Sequence, residues 1–339
     1  MSVTIRDVAK RADVSIKTVS RVINNEPFVR DTTREKVYQA IEELGFVANL
    51  SARRLATGQS FTLGLIFHNA SWYYIKDVQK GVLETAREFG YSTIMHPCDV
   101  NNESDRQEVI RLVTQRITDG LIFTPPADNS KELLEDLDRL KVPFVRLTPS
   151  DQERPWPYVT VTDRQGSYAM TQYLLKLGHT RIAYIVGPLE QKAAHDRFDG
   201  YKAALQKAGI DIDSSIIEYG NDHFESGLAA TQKLLDANPR PTAVFCNNDE
   251  MAAGAIAKVN EAGLRVPGDV SIAGFDDIDL ARQIWPPMTT VRQPIYEIAK
   301  LATNTLVKML NDEELIDLYH EIPTELVMRK STAPVNSTG

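Results

Sequence analysis

Over residues 4–44 apolar side chains recur at helical intervals. Ile5, Val8, Ala9 and Ala12 make one stripe, Val19, Val22 and Ile23 a second, and Val37, Ala40, Ile41 and Leu44 a third. A polar start precedes each: Thr4 spaced to Asp7 as in a capping box, Ser15, and Thr32 spaced likewise to Glu35. Gly45 supplies a stop for the third helix. The pattern predicts three short helices, the second over Ile16 to Ile23. The brief Asp13-Val14 break between the first two suits a helix-turn-helix crossing rather than antiparallel packing. A different stretch follows, SARRLATGQS over residues 51–60. It has good helix formers for about two turns, a length that is marginal for an isolated helix in water. It reads as a linker, or as a helix that forms only when something holds it.

From Phe61 the period changes. FTLGLIF, YSTIMHP, DGLIFTP and VPFVRLT are short, apolar and rich in β-branched residues, as strands are. Helical segments separate them: VQKGVLETAREFG, ESDRQEVIRLVTQRI and KELLEDLDRLK. The series then repeats, with RIAYIVG, SIIEYG, TAVFCNND and DVSIAGFDD alternating with SYAMTQYLLKLG, FDGYKAALQKAG, ESGLAATQKLLDA and MAAGAIAKVNEAG. Such alternation predicts parallel sheets with helices on both faces, and two similar halves predict two lobes with a cleft. The expected fold is therefore α/β: an N-terminal all-α helix-turn-helix domain over 1–48, a hinge helix or linker over 49–60, and a two-lobed, doubly wound core over 61–330. The closing STAPVNSTG, residues 331–339, reads as a disordered tail with no leucine heptads before it.

Composition adds limits. Of 339 residues, 42% are hydrophobic and 25% charged, as in a globular protein with a real core. Cys98 and Cys246 lie far apart in no CxxC pattern, which excludes a disulfide framework and a zinc finger and fits a reducing compartment. There is no apolar run of membrane-spanning length and no apolar leader after Met1, so a cytoplasmic location without a membrane is expected. The net charge is −8, but unevenly placed. Residues 1–60 hold ten basic against seven acidic side chains, and the remainder 28 against 39. A basic head on an acidic body points to an anionic partner for the head alone.

The outward face of the second helix carries Ile16, Lys17, Ser20 and Arg21. Lys and Arg donate to the acceptor edge of guanine, and an apolar side chain meets the thymine methyl; the alternative is a solvated face of a small bundle. TIRDVAKRADVSIKTVSRVIN, from Thr4 to Asn24, resembles the N-terminal signature of the lactose-repressor (LacI/GalR-type) family of bacterial transcription factors, with its D-V-A, V-S, T-V-S-R-V and N elements in place. The resemblance puts Ile16, Lys17 and Arg21 at base-reading positions. It puts Thr4, Ser15, Thr18, Ser20 and Asn24 at phosphate and turn positions, with local capping the alternative for Thr18 and Ser20. ANLSARRLATGQS resembles the family's hinge, which becomes helical on operator DNA. Two such helices from a dimer would enter the minor groove, with Leu55 as the apolar wedge, Ala52 allowing close approach, and Arg53 and Arg54 neutralising phosphates.

The resemblance extends over nearly the whole chain. It implies a core similar to periplasmic sugar-binding proteins, with crossovers between lobes near residues 162, 291 and 321. Lobe 1 would span about 61–162 and 291–320, and lobe 2 about 163–290 and 321–330. A last helix, about Tyr296 to Leu310, would return to the first lobe. Polar candidates stand at strand ends: Tyr74, Thr124, Thr148, Arg197, Asn248, Asp249, Asp276 and Gln293. In the family such positions line the effector pocket. Carboxylates, Asn and a guanidinium fork suit a polyol. Trp285, with Trp72 and Tyr73, could offer a flat face to a sugar ring or simply pack. His68 belongs to the pocket rim or the core. Asp222 stands where some relatives have an aromatic residue, so purine stacking there is unsupported. The absence of a Lys/Arg cluster favours a neutral sugar, a glycoside or an oligosaccharide.

The six histidines show no metal-ligand spacing, and no GxSxG, P-loop or GxGxxG appears. No cofactor, metal or catalytic group is expected. The reading is a repressor-type, sequence-specific DNA-binding regulator, a homodimer on a near-palindromic operator, whose DNA affinity a small-molecule effector controls in either direction. A plain sugar-binding transport or chemoreception protein is the competing class, and a sugar-active enzyme a third.

Overall fold

The computed structural model describes residues 3–23, 28–46, 57–68 and 71–335. The chain divides into two compact units, Met1–Ser60 and Phe61–Gly339.

The first unit contains helices α1 (Ile5–Ala12), α2 (Ile16–Ile23) and α3 (Asp31–Leu44). Their apolar stripes meet in one small core of Val8, Ala9, Ala12, Val19, Val22, Val37 and Ala40. The Asp7 carboxylate accepts the Thr4 backbone N–H at 2.8 Å and its hydroxyl at 2.7 Å, which fixes the start of α1. Ser15 Oγ accepts the Thr18 N–H at 3.1 Å and caps α2. The third start differs from expectation: α3 begins at Asp31, its N-cap is Arg30, and Thr32 lies inside the first turn. Gly45 ends α3 in the left-handed conformation, φ +60°.

The second unit is two doubly wound lobes. Lobe 1 has β1 (Thr62–Phe67), α4 (Trp72–Glu88), β2 (Ser92–Pro97), α5 (Glu103–Thr114), β3 (Gly120–Phe123), α6 (Lys131–Arg139), β4 (Phe144–Leu147) and β5 (Tyr158–Val161). Lobe 2 follows with α7 (Asp163–Lys176), β6 (Ile182–Val186), α8 (Lys192–Lys207), β7 (Ile217–Tyr219), α9 (Phe224–Asp236), β8 (Ala243–Cys246), α10 (Asp249–Glu261), β9 (Ser271–Ala273), the short α11 (Asp279–Gln283) and β10 (Thr290–Arg292). The chain returns to lobe 1 for α12 (Ile295–Leu310) and β11 (Tyr319–Ile322), then pairs β12 (Glu325–Val327) antiparallel with β10. The large sheet is parallel in the order β11-β5-β4-β3-β1-β2, and the second is parallel in the order β7-β6-β8-β9.

Period-two alternation explains the layers. In β1, Leu63 and Leu65 face α4 and α12, while Ile66 faces α5 and α6. In β6, Ala183 and Ile185 face α9 and α10, while Ile182, Tyr184 and Val186 face α7 and α8. Strands buried on both faces read as continuous apolar runs. The three crossovers fall between Val161 and Asp163, Arg292 and Ile295, and Ile322 and Glu325. The third is therefore displaced from residue 321, because Tyr319–Ile322 completes the large sheet beside β5.

Two helices of lobe 2 touch backbone to backbone. A Cβ on Gly227 of α9 would sit 2.1 Å from the Met251 carbonyl oxygen, and one on Gly254 of α10 would sit 2.1 Å from that of Phe224. This contact sets the position of the α10 N-terminus, where the site begins.

The expected tail is ordered over 331–335. Ser331 Oγ donates to the Ile272 carbonyl at 2.6 Å and accepts from the Thr289 N–H at 2.8 Å. The Val335 N–H donates to the Leu177 carbonyl at 2.9 Å. Its small polar side chains are buried partners of β9 and the α7 C-terminus rather than solvated ones; 336–339 lie outside the described residues.

Candidate functional site

On α2, Val19 and Val22 are buried in the helical core, and the remaining face turns away from it. Ile16, Lys17 and Arg21 are exposed there, Ile16 at 46% despite being apolar. Ser20 is half-buried on the same helix. Thr4, Ser15 and Thr18 are engaged in caps, with the Ser15 and Thr18 hydroxyls 2.9 Å apart. Such local bonds orient a helix start and leave a hydroxyl's remaining lone pair for a further contact. Asn24, Ala52, Arg53 and Leu55 lie outside the described residues.

Lobes 1 and 2 enclose a cavity of about 660 Å³ at the C-terminal strand ends, within the ~300–1,000 Å³ usual for small-molecule sites. Such ends are where open α/β sheets bind ligands. Of the expected residues, Tyr74, Thr148, Arg197, Asn248, Asp276 and Gln293 line it, and so does His68.

Arg197 is the centre of lobe 2's wall. It is buried on α8, with its guanidinium carbon 3.9 Å from the centroid of the Phe275 ring. Nε donates to Asp163 Oδ1 at 2.7 Å, and Nη1 donates to the Asn247 carbonyl at 2.7 Å and lies 3.3 Å from Asp276 Oδ1. Burial opposes its charge, but Asp163 and Asp276 outweigh that and raise its pKa. Gln293 Nε2 donates to Asp276 Oδ1 at 2.5 Å. Burial pushes the Asp276 carboxyl up to about 7, with Arg197 and the Gln293 bond acting against it. Asn248 caps α10 by accepting the Met251 N–H at 2.9 Å, and its Nδ2 donates to the Asp222 carbonyl at 2.8 Å.

Several wall residues hold rare backbone conformations. Thr148 is at φ +47°, Asp222 at +67° and Asp276 at +115°. A β-branched residue in the left-handed region is strained by about 1–3 kcal/mol. The surrounding bonds hold these side chains on the wall against that cost.

Three expected pocket residues do not line the cavity. Thr124 is fully buried, its hydroxyl 3.4 Å from the Ile66 carbonyl it donates to, because its N–H continues the β1–β3 pairing. Asp249 is buried behind the wall: it accepts the Ile278 N–H at 3.0 Å and the Thr290 hydroxyl at 2.5 Å, and so anchors the turn that carries Asp276. Burial first, and Asp276 second, raise its pKa well above the ordinary range. Trp285 is 73% exposed with Lys330 over its ring. Trp72 and Tyr73 also point to the exterior, which leaves Tyr74 as the aromatic residue of the lining apart from the histidines.

Other wall residues were not singled out in the sequence as pocket members. Asp163 starts α7 directly after the first crossover, in a strand–helix joint whose strand, YVTV, is short. Ser71, Asn129 and Ser130 come from loops and helix starts, and Asp222, considered in the sequence only as a poor stacking position, joins them on the wall. Asp222 Oδ1 accepts from Asn247 Nδ2 at 2.9 Å. The available signal was position alone: each follows or faces a strand end. Among the described residues no group of His, Cys, Asp and Glu is placed to hold a metal ion, and no helix is long and apolar enough to cross a membrane.

A helix-turn-helix unit and a two-lobed α/β core in one chain define a DNA-binding transcription regulator. Residues 4–49 match the family described as bacterial regulatory proteins, lacI family, and residues 171–332 match the periplasmic binding protein-like domain. The chain is 35% identical to catabolite control protein A of Priestia megaterium over 98% of this chain and 100% of that one. It is 34% identical to the transcriptional repressor PurR of Vibrio atlanticus over 98% and 99%. Among solved structures it resembles a lac repressor dimer bound to operator and the anti-inducer ONPF, with a TM-score of 0.78 and 31% identity over 98% of this chain and 100% of that one. It also resembles a complex of the regulator CelR with cellobiose, with a TM-score of 0.75 and 31% identity over 97% and 99%. The chain belongs to the LacI family of bacterial transcription regulators.

Proposed function

We propose that this protein is an operator-binding repressor, acting as a homodimer, whose DNA affinity is set by a sugar or oligosaccharide held between its lobes. The observation that carries the effector half is Arg197 fixed by Asp163, Asp276 and the Asn247 carbonyl beside Asn248 and Gln293 in one cavity. Hydroxyl pairs on a sugar ring match such a mixture of planar donors and carboxyl acceptors. Five acidic side chains line the cavity (Glu132, Asp163, Glu190, Asp222, Asp276) against Lys131 and Arg197, apart from His68 and His223. That balance disfavours phosphorylated or carboxylated ligands. The CelR structure holds cellobiose; among the described residues no Trp or Phe lines this cavity as a platform for a base.

In the DNA half, Ile16, Lys17 and Arg21 read base edges, and Thr4, Ser15, Thr18, Ser20 and Asn24 set the backbone and turn contacts. Ala52, Arg53 and Leu55 reach the minor groove. A thermal-shift screen of the full chain against mono- and oligosaccharides tests the effector, with Asp276→Ala as control. A sugar that raises the melting temperature of the wild type but not of the variant supports the reading, as does its effect on operator binding. Leu55→Ala tests the wedge: operator affinity and DNA bend are both expected to fall, and unchanged values refute it.

A further inference from the structure

Lobe 2's wall holds more negative charge than its single guanidinium balances. Arg197 is shared by two carboxyls, 2.7 Å from Asp163 and 3.3 Å from Asp276. The Asp222 carboxyl has a neutral hydrogen-bond donor, Asn247 Nδ2, while Asn248 Nδ2 donates to the Asp222 backbone carbonyl, and the two amides hold the residue on the wall at φ +67°. Burial raises the pKa of both Asp163 and Asp222. The charged groups acting on Asp276 come from every neighbouring element: Arg197 of α8, Asp163 of α7, Asp222 of the loop before α9, and Asp249 of α10. Asp222 is acted on by Arg197 of α8, by Glu250 of α10 and by His223 of its own loop. Crowded carboxyls are relieved in one of two ways: one keeps a proton, or the ligand brings a cation.

The opposite wall makes a second demand. Ser130 is 7% exposed and lines the cavity, yet its hydroxyl has no hydrogen-bond partner among the described residues. A buried hydroxyl without a partner carries a desolvation penalty that a ligand hydroxyl removes. The two walls together call for a hydroxylated body with one positive group.

We propose that the effector is an amino sugar, its protonated amine against Asp222 and Asp276 and its hydroxyls against Arg197, Asn248 and Ser130. This rests on the sugar reading above and narrows it to a cationic sugar, in place of the neutral one that the sequence favoured. An N-acetylated sugar lacks the charge, and a phosphorylated one meets the excess carboxyls. The bound ammonium takes the place of a proton on the carboxyl pair, so binding releases that proton. Affinity for the amine therefore rises with pH across the range where the pair titrates, until the amine itself loses its charge. A neutral sugar has no such rise.

The test is calorimetric titration of the full chain with glucosamine, galactosamine and mannosamine, each beside its N-acetyl and neutral hydroxyl counterparts, at about pH 6 and about pH 7.5. An amino sugar is expected to bind at least about ten-fold more tightly than its counterparts. The margin should be wider at the higher pH, with proton release shown by buffers of differing ionisation heat. Asp222→Asn keeps an acceptor for Asn247 and tolerates positive φ, and it should erase the margin. Asp276→Asn is the second variant should the first fail to fold. Neutral sugars binding as tightly as the amines, or a margin unchanged in a folded variant, overturns the inference and leaves the sugar reading standing. Binding of no sugar of either kind overturns both.

Discussion

Asp276 shows how one residue can carry both recognition and a stability cost. It sits at φ +115°, its Oδ1 3.3 Å from Arg197 Nη1, and burial pushes its pKa up to about 7. In the unfolded chain the same carboxyl ionises near ~4. Between those values the unfolded state releases a proton that the folded state keeps, so rising pH favours unfolding. The contribution of the protonated carboxyl is full below about 4, declines as pH rises, and levels off above the folded pKa near 7. Asp128, Asp163, Asp222 and Asp249 are shifted in the same direction, burial being the largest cause for each. Without effector, the melting temperature is therefore expected to fall from about pH 5 to about pH 7, and Asp276→Asn should flatten part of that fall, on the order of 3 kcal/mol at most. Parallel curves for variant and wild type would show that Asp276 is ionised in the free protein. Sequence position and the family resemblance placed Asp276, Arg197 and Gln293 together: Asp276 and Gln293 follow strand ends, and Arg197 lies in the second turn of α8. They misplaced Asp249, next to Asn248 in the same motif, because one residue further along the α10 start turns the side chain behind the wall to Ile278 and Thr290.

Elements were legible where apolar periodicity was strong and obscure where polar or aromatic residues opened a helix. The core of α4 was readable from Val78, but its start at Trp72 was not, since Trp72 and Tyr73 are exposed and give no stripe. Likewise α8 begins at Lys192, while its periodic residues are concentrated further along. The strand Tyr158–Val161 lies between a Pro-rich loop and α7, and four residues are too few to show a period. The 331–335 segment was misread because Ser and Thr look solvated by composition, whereas here they bond to β9. Small residues had the opposite fate: Gly227 and Gly254 looked unremarkable in helical runs but permit the α9–α10 contact. Gly227→Ala forces a methyl to 2.1 Å from the Met251 carbonyl oxygen. Overpacking of this kind costs about 1–3 kcal/mol, so a lower melting temperature is expected. The displaced α10 start should also weaken effector binding through Asn248. A variant as stable as wild type would mean that the two helices separate freely.

At the scale of the whole core, the cleft is tied at its rim as well as lined within. Ser71 of lobe 1 donates to Glu250 of lobe 2, and Lys76 pairs with Asp279 across the same gap. On another side Ser150 Oγ of lobe 1 accepts the Lys192 N–H of lobe 2 at 3.0 Å, at the start of α8, and within lobe 1 Asn129 Oδ1 accepts the Ser150 N–H at 2.8 Å. The bonds that cross the gap need the lobes in this arrangement, so each biases the equilibrium between arrangements by its own small free energy. The Lys76–Asp279 pair is about half exposed, with side-chain exposures of 50% and 43%, which limits it to about 0–1 kcal/mol. Asp279→Asn removes the charge but leaves the cavity lining unchanged. An effector that prefers this arrangement is then expected to bind up to about five-fold more weakly at low salt. The difference should shrink as salt rises and screens the pair in the wild type. By linkage, the dose of effector that changes operator affinity should move by the same factor. Effector titrations of wild type and variant at two salt concentrations check this. An identical affinity at low salt would mean that the effector does not distinguish the tied lobes from the released ones, and that control of the DNA-binding unit runs through some other difference between its bound and free states.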